Sequence, residues 1–105
     1  YTILWDKTKY KVKTHGGKIR FYTEGMHGLI KHIIIKPYSL DTVWSLDMFD
    51  SDGDKIFWCK DQEGMLDGKE EIPIGQAMPE RINVSIYDST SNEPFEIVFK
   101  VKETR

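Results

Sequence analysis

Cysteine is nearly missing from this chain. Cys59 stands alone among 105 residues, so no disulfide can close within it, which fits a reducing compartment or a particle assembled inside a cell. No apolar run approaches the roughly 20 residues that cross a bilayer as a helix. The opening YTILWDKTKY has no signal-peptide pattern and no initiator Met, and we expect a soluble protein with no membrane contact. Catalytic signatures are also lacking. The serines sit in no strand-to-helix elbow and no glycine-rich phosphate loop, and His15, His27 and His32 lack the spacing and partners of a metal site. A non-enzyme without cofactor or metal follows as the expectation.

What is present is alternation of apolar and polar residues with period two. It is clearest over Thr42 to Lys60, TVWSLDMFDSDGDKIFWCK, where two alternating runs flank Asp50-Ser51-Asp52-Gly53-Asp54. Gly53 suits the left-handed conformation of a bulged hairpin loop. Closing the loop at Asp50 and Asp54 sets Met48 opposite Ile56, Leu46 opposite Trp58 and Trp44 opposite Lys60. Four large apolar side chains then share a face, and burial of that face is expected to hold the register. One hairpin cannot bury such a face alone and needs a facing sheet.

The remaining segments repeat this pattern. Thr2 to Trp5 is a short apolar opening, readable as an edge strand or as an arm to a neighbour. Lys9 to Glu24 reads as a hairpin about Gly16-Gly17, with Val12 opposite Phe21 and Thr14 opposite Ile19. Leu29 to Lys36 reads as a central strand because its β-branched isoleucines favour strand over helix. Residues 61–81 carry three Gly and two Pro, and are expected to be irregular, with short edge strands or plugs at Met65-Leu66 and Ile72-Pro73-Ile74. Glu80 to Asp88 points Ile82, Val84 and Ile86 inward. Phe95, Ile97, Phe99 and Val101 do the same, with Ile86 expected to pair with Ile97. Residues 1–105 therefore form one all-β domain, an antiparallel β-sandwich, Ig-like in outline, with about seven or eight strands and little or no helix.

A net charge of −2 conceals a strong polarity. Residues 1–40 hold eight Lys/Arg against two Asp/Glu, and residues 41–71 hold three against ten. Fields of opposite sign favour oriented docking with partners or with further copies. Lys9, Lys11, Lys13, Lys18 and Arg20, with Tyr22 among them, form the concentrated basic surface of the expected hairpin. Nucleic acid could use those cations with Tyr22 as a stacking platform, but the overall acidic balance and the lack of a recognised motif argue against it. Lysines along an exposed hairpin also discourage edge-to-edge pairing.

Two further groups bear on binding. Asp50-x-Asp52-x-Asp54 invites a calcium reading, yet Gly53 and Lys55 sit wrongly for an EF-hand loop and Asp61 stands where Glu is needed. A polar bulged turn explains the same residues. Phe49, Phe57, Cys59, Tyr87 and Val98 fall opposite the core in the registers above, and if clustered they make a patch that a monomer rarely leaves wet. Cys59 reads as a small half-covered apolar residue on that side.

The strand ending in KP, the hairpin SLDMFDSDGDKIF, the IPIG turn and RINVSIYDSTSNEPFEIVFKVKE together resemble the small β-sandwich proteins of tailed-bacteriophage virions. These include capsid decoration, head-tail connector and tail-associated components. The likeness spans about Lys31 to Glu103 and brings no catalytic or binding residues with it. It implies a many-copy or homo-oligomeric virion protein, assembled in the host cytoplasm, that docks on other virion proteins. Sheet faces, charge complementarity and the N-terminal arm with Trp5 would serve that docking. The competing reading is a carbohydrate- or calcium-binding module using Trp5, Tyr38, Trp44, Trp58 or the Asp50 loop. Against it, the register above buries Trp44 and Trp58.

Overall fold

A computed structural model describes the backbone of residues 3–104 and the side chains of residues 7–103. Eight strands run in chain order: β1 Ile3–Lys13, β2 Ile19–Tyr22, β3 Gly28–Pro37, β4 Val43–Phe49, β5 Lys55–Glu63, β6 Leu66–Ile74, β7 Asn83–Tyr87 and β8 Pro94–Thr104. No helix occurs among the described residues, and so none is long and apolar enough to cross a membrane.

The strands form two antiparallel four-stranded sheets, ordered β1-β8-β3-β6 and β2-β7-β4-β5. The expected sandwich is therefore present, but its strand order is not the Ig-like one expected, in which several consecutive strands pair within a sheet. Only β4 and β5 are neighbours both in sequence and in a sheet. Every other connection passes to the opposite sheet, the order of a two-Greek-key jelly roll.

Between the sheets lies one core. Ile30, Ile33, Ile35, Phe95, Ile97 and Phe99 from the first sheet meet Trp44, Leu46, Met48, Ile82, Val84 and Ile86 from the second, all at 0% exposure. Outside β3 these are the inward positions that period-two alternation marks; in β3 a bulge between Ile30 and His32 is what brings Ile30 to the same face as Ile33 and Ile35. The Trp44 indole packs edge-on against Phe95 at 5.7 Å and donates its N–H to the Gly64 carbonyl at 2.8 Å, so its one polar atom is satisfied on burial. At the β1–β2 margin the Tyr10 ring lies 5.3 Å from Phe21 and 6.2 Å from Phe99, while its hydroxyl accepts from the Glu24 N–H at 2.9 Å.

Three expected pairings change. His15 and Lys18 do bridge across Gly16-Gly17, but the chain changes sheets there. β1 pairs along its whole length with β8, and β2 pairs with β7. Val12, Thr14, Ile19 and Phe21 still turn inward, now from two sheets. Likewise Ile86 and Ile97 do not pair. They enter the same core from opposite sheets, because β7 lies between β2 and β4 while β8 lies between β1 and β3. Alternation reports which side of a strand is apolar and is silent about which neighbour it bonds to.

The third change concerns the β4–β5 hairpin. Its loop closes as expected, with the Asp50 N–H donating to the Asp54 carbonyl at 2.9 Å and Gly53 at φ 86°. Immediately afterwards a bulge intervenes: Phe49 pairs with Lys55, and Met48 pairs with Phe57, leaving Ile56 as the extra residue. One inserted residue inverts the faces beyond it. Phe57 and Cys59 consequently turn toward the core, while Trp58 pairs with Asp47 and is 62% exposed. This corrects both the burial expected for Trp58 and the outward placement expected for Phe57 and Cys59. A second bulge opposite Ser45 places Asp61 at φ 54°, and its N–H donates to the buried Ser45 hydroxyl at 3.0 Å.

The segment expected to be irregular is largely ordered. β6 is a nine-residue edge strand that tolerates Pro73 because one side of an edge needs no N–H donor. β3 begins at Gly28, φ 122°, where an added Cβ would lie 2.2 Å from the Lys102 carbonyl oxygen. Only glycine lets β8 pass so near.

Candidate interaction faces

Each sheet turns one face to the core and one outward, and the two outward faces differ in chemistry. On the first sheet, alternation directs Lys7, Lys9, Lys11 and Lys13 outward from β1, because Tyr10 and Val12 pack on the core. The neighbouring strands extend this basic field. Lys100 and Lys102 project from β8 on either side of buried Val101, Lys36 from β3, and Lys69 from β6 opposite His32. The carboxylates on the same face are already engaged. Glu96 pairs with Lys9 at 3.3 Å, Asp67 with His32, and Glu71 with Lys31. The Lys31 hydrogen bond holds the exposed Glu71 carboxyl below the usual carboxylate range. No ion pair to Lys7, Lys11, Lys13, Lys36, Lys69, Lys100 or Lys102 occurs among the described residues. Lys102 acts on Glu71 at longer range, and the field of the others is left largely uncompensated on the face itself.

The expected basic cluster is accordingly divided. Lys9, Lys11 and Lys13 belong to this face, whereas Arg20 and Tyr22 lie on β2 of the other sheet, with Lys18 at the turn before it. Trp5 sits in β1 opposite Lys102, and its side chain is outside the described residues. The lysines of β3, β6 and β8 escape notice in the sequence because they come from segments with mixed charge, joined only by pairing.

On the second sheet a row crosses all four strands: Arg20, Ser85, Asp47, Trp58. A parallel row places Tyr22, Asn83 and Phe49 side by side, and Tyr87 pairs with Ser45. These rows shape a trough of about 720 Å³ lined by His15, Lys18, Arg20, Asp47, Ser85 and Tyr87. A smaller one of about 340 Å³ adjoins it through Arg20, with Tyr22, Phe49, Asp50 and Asn83. Tyr22 and Trp58, on opposite edge strands, are 64% and 62% exposed. Asp47 is bridged by Lys55 at 3.4 Å. Asn83 Oδ1 is buried without a hydrogen-bond partner among the described residues.

The five outward apolar residues expected to cluster do not. Phe49 and Tyr87 line the second sheet's troughs, Val98 lies buried on the first sheet's outer side, and Phe57 and Cys59 pack inward. Burial, partly offset by a backbone hydrogen bond at Leu46 and reinforced by Asp47, raises the Cys59 thiol from its ordinary 9.0 to about 11. It therefore stays protonated at neutral pH and is a poor nucleophile.

The Asp50 carboxylate serves its own loop. Oδ1 accepts from the N–H groups of Asp52 and Asp54, each at 2.9 Å, the behaviour of an Asx turn. Among the described residues no three His, Cys, Asp or Glu side chains gather as a metal site would require.

No family model and no curated protein matches this chain. Among solved structures, chains from infectious bursal disease virus, Gx strain and Gt strain, align with 98% and 95% of it at 8% and 7% identity, with TM-scores of 0.39 and 0.38. The chain spans 37% and 32% of the length of those chains. The jelly-roll assignment rests on strand order and not on this alignment.

Proposed function

We propose that this chain is a non-enzymatic structural module of a virion, present in many copies, which docks on other virion proteins through the lysine-rich outer face of its first sheet. The observation that carries the reading is the set of lysines on β1, β3, β6 and β8 with no ion-pair partner among the described residues. An acidic protein surface is the complementary partner. The same chain offers one in Asp52 and Asp54, exposed at the tip of the β4–β5 hairpin, so copies could dock face to tip. Nucleic acid is a poorer fit, because Tyr22, the expected stacking ring, lies on the other sheet. The jelly roll supports the reading by analogy only, since that architecture serves capsid, lectin and enzyme domains alike. The tailed-bacteriophage assignment, as decoration, connector or tail-associated protein, rests on the sequence resemblance.

Zero-length carbodiimide cross-linking of purified particles tests the proposal. Cross-links from Lys11, Lys36 or Lys100 to carboxylates of other chains are expected, and the double variant Lys11→Glu, Lys100→Glu should drop out of particles while melting normally. A protein that stays monomeric and never co-purifies with particles would overturn the reading. So would a double variant that incorporates fully, or single-stranded DNA binding lost in that same variant.

A further inference from the structure

We propose that the outer face of the second sheet is a glycan-binding surface, with Tyr22 and Trp58 as stacking platforms and Arg20, Asn83, Ser85 and Asp47 as its polar floor. The surface lies on the sheet opposite the lysine face, and holds whether or not that face docks.

The spacing suits an oligosaccharide. Arg20, Ser85, Asp47 and Trp58 are register partners on four adjacent strands, so the row is about 14 Å long at ordinary strand separation. Tyr22 marks one side of the face and Trp58 the other, each more than 60% exposed. A pyranose presents apolar C–H faces that lie flat on aromatic rings, and a rim of hydroxyls that need donors and acceptors. This face supplies both: exposed rings at Tyr22 and Trp58 on its edge strands, and polar groups interleaved with Phe49 and Tyr87 between them. Asn83, between Tyr22 and Phe49 in the neighbouring row, adds an amide side chain to that floor.

Other occupants fit less well. Protein interfaces concentrate aromatic and aliphatic anchors at a dry centre with a polar rim, whereas on this face Asp47, Asn83 and Ser85 interleave with Phe49 and Tyr87 across the central strands. Single-stranded nucleic acid would also stack on Tyr22 and Trp58, but Asp47 and Asp50 line the troughs and oppose phosphate. At the β2 end, Lys18 and Arg20 have no ion pair among the described residues. That end would favour a sugar bearing a carboxylate.

Affinity electrophoresis of the full chain in gels containing laminarin, xylan, polygalacturonate or alginate tests the proposal, with titration of intrinsic tryptophan fluorescence alongside. At least one polysaccharide should retard the protein. Trp58→Ala and Tyr22→Ala should each weaken binding by about tenfold or more, the scale of losing one stacked ring, with unchanged melting because both side chains are exposed. Arg20→Ala should reduce preference for the two acidic polymers over the neutral ones, and Lys11→Glu on the other sheet should change nothing. Failure of every polysaccharide to retard the protein would overturn the proposal. Retardation that survives the Trp58→Ala, Tyr22→Ala double variant would do so too, as would tighter binding of oligothymidylate through the same two residues.

Discussion

The two outer faces of this sandwich share one core and differ in almost everything else. The first sheet displays lysine ammonium groups whose nearby carboxylates are already engaged. The second displays aromatic rings interleaved with polar groups. A field of like charges acts at range and weakens with salt. A troughed face with stacking rings acts only at contact and depends on shape. One layer of buried side chains thus supports a face suited to steering and a face suited to selective grip.

The largest expected effect abolishes the comparison by removing what both faces stand on. Trp44→Ala should destabilise the protein by about 4 kcal/mol, a large share of the 5–15 kcal/mol typical of a small domain, as measured by urea unfolding. Gly28→Ala should cost roughly 3 kcal/mol, because its Cβ would meet the Lys102 carbonyl. Hydrogen exchange should then show greater loss of protection in β3 and β8 than in β4 and β7, loosening the first sheet selectively.

Smaller effects sharpen the contrast. Raising sodium chloride from about 0.05 M to about 0.5 M shortens the Debye length severalfold, and should weaken docking by the lysine face while leaving trough binding nearly unchanged. Cys59 gives a pH signature on the second sheet. Its folded thiol keeps a proton that the unfolded chain releases near 9.0, so its stabilisation is complete below that pH and declines as pH rises toward about 11. Cys59→Ala should flatten that part of the stability profile. Least in energy, Trp58→Phe should shift stability by under about 0.5 kcal/mol yet lower the acrylamide-quenchable fluorescence, which Trp44→Phe should leave in place.

Much of the core is legible in the sequence. Leu46, Met48, Ile82, Val84, Ile86, Phe95, Ile97, Phe99 and Val101 all lie where alternation directs them, at 0–1% exposure, because burial acts on each strand separately. The candidate faces are far less legible. The lysine face gathers residues from β1, β3, β6 and β8, and the row across the second sheet gathers Arg20, Ser85, Asp47 and Trp58 from four other strands. Trp58 depended on a single backbone event, the bulge at Ile56, which no local composition announces.

By itself the chain of amino acids determined that strands form, which side of most of them is apolar, and where the Asp50–Asp54 loop closes. Those are consequences of side-chain chemistry repeated every second residue and of glycine's freedom at one turn. Tertiary structure alone decided that β1 joins β8 and not β2, that β7 and β8 belong to different sheets, and that Trp58 stands in solvent. Strand partners are chosen by the mutual burial of all eight strands at once, and one extra residue in a ladder is enough to invert a face.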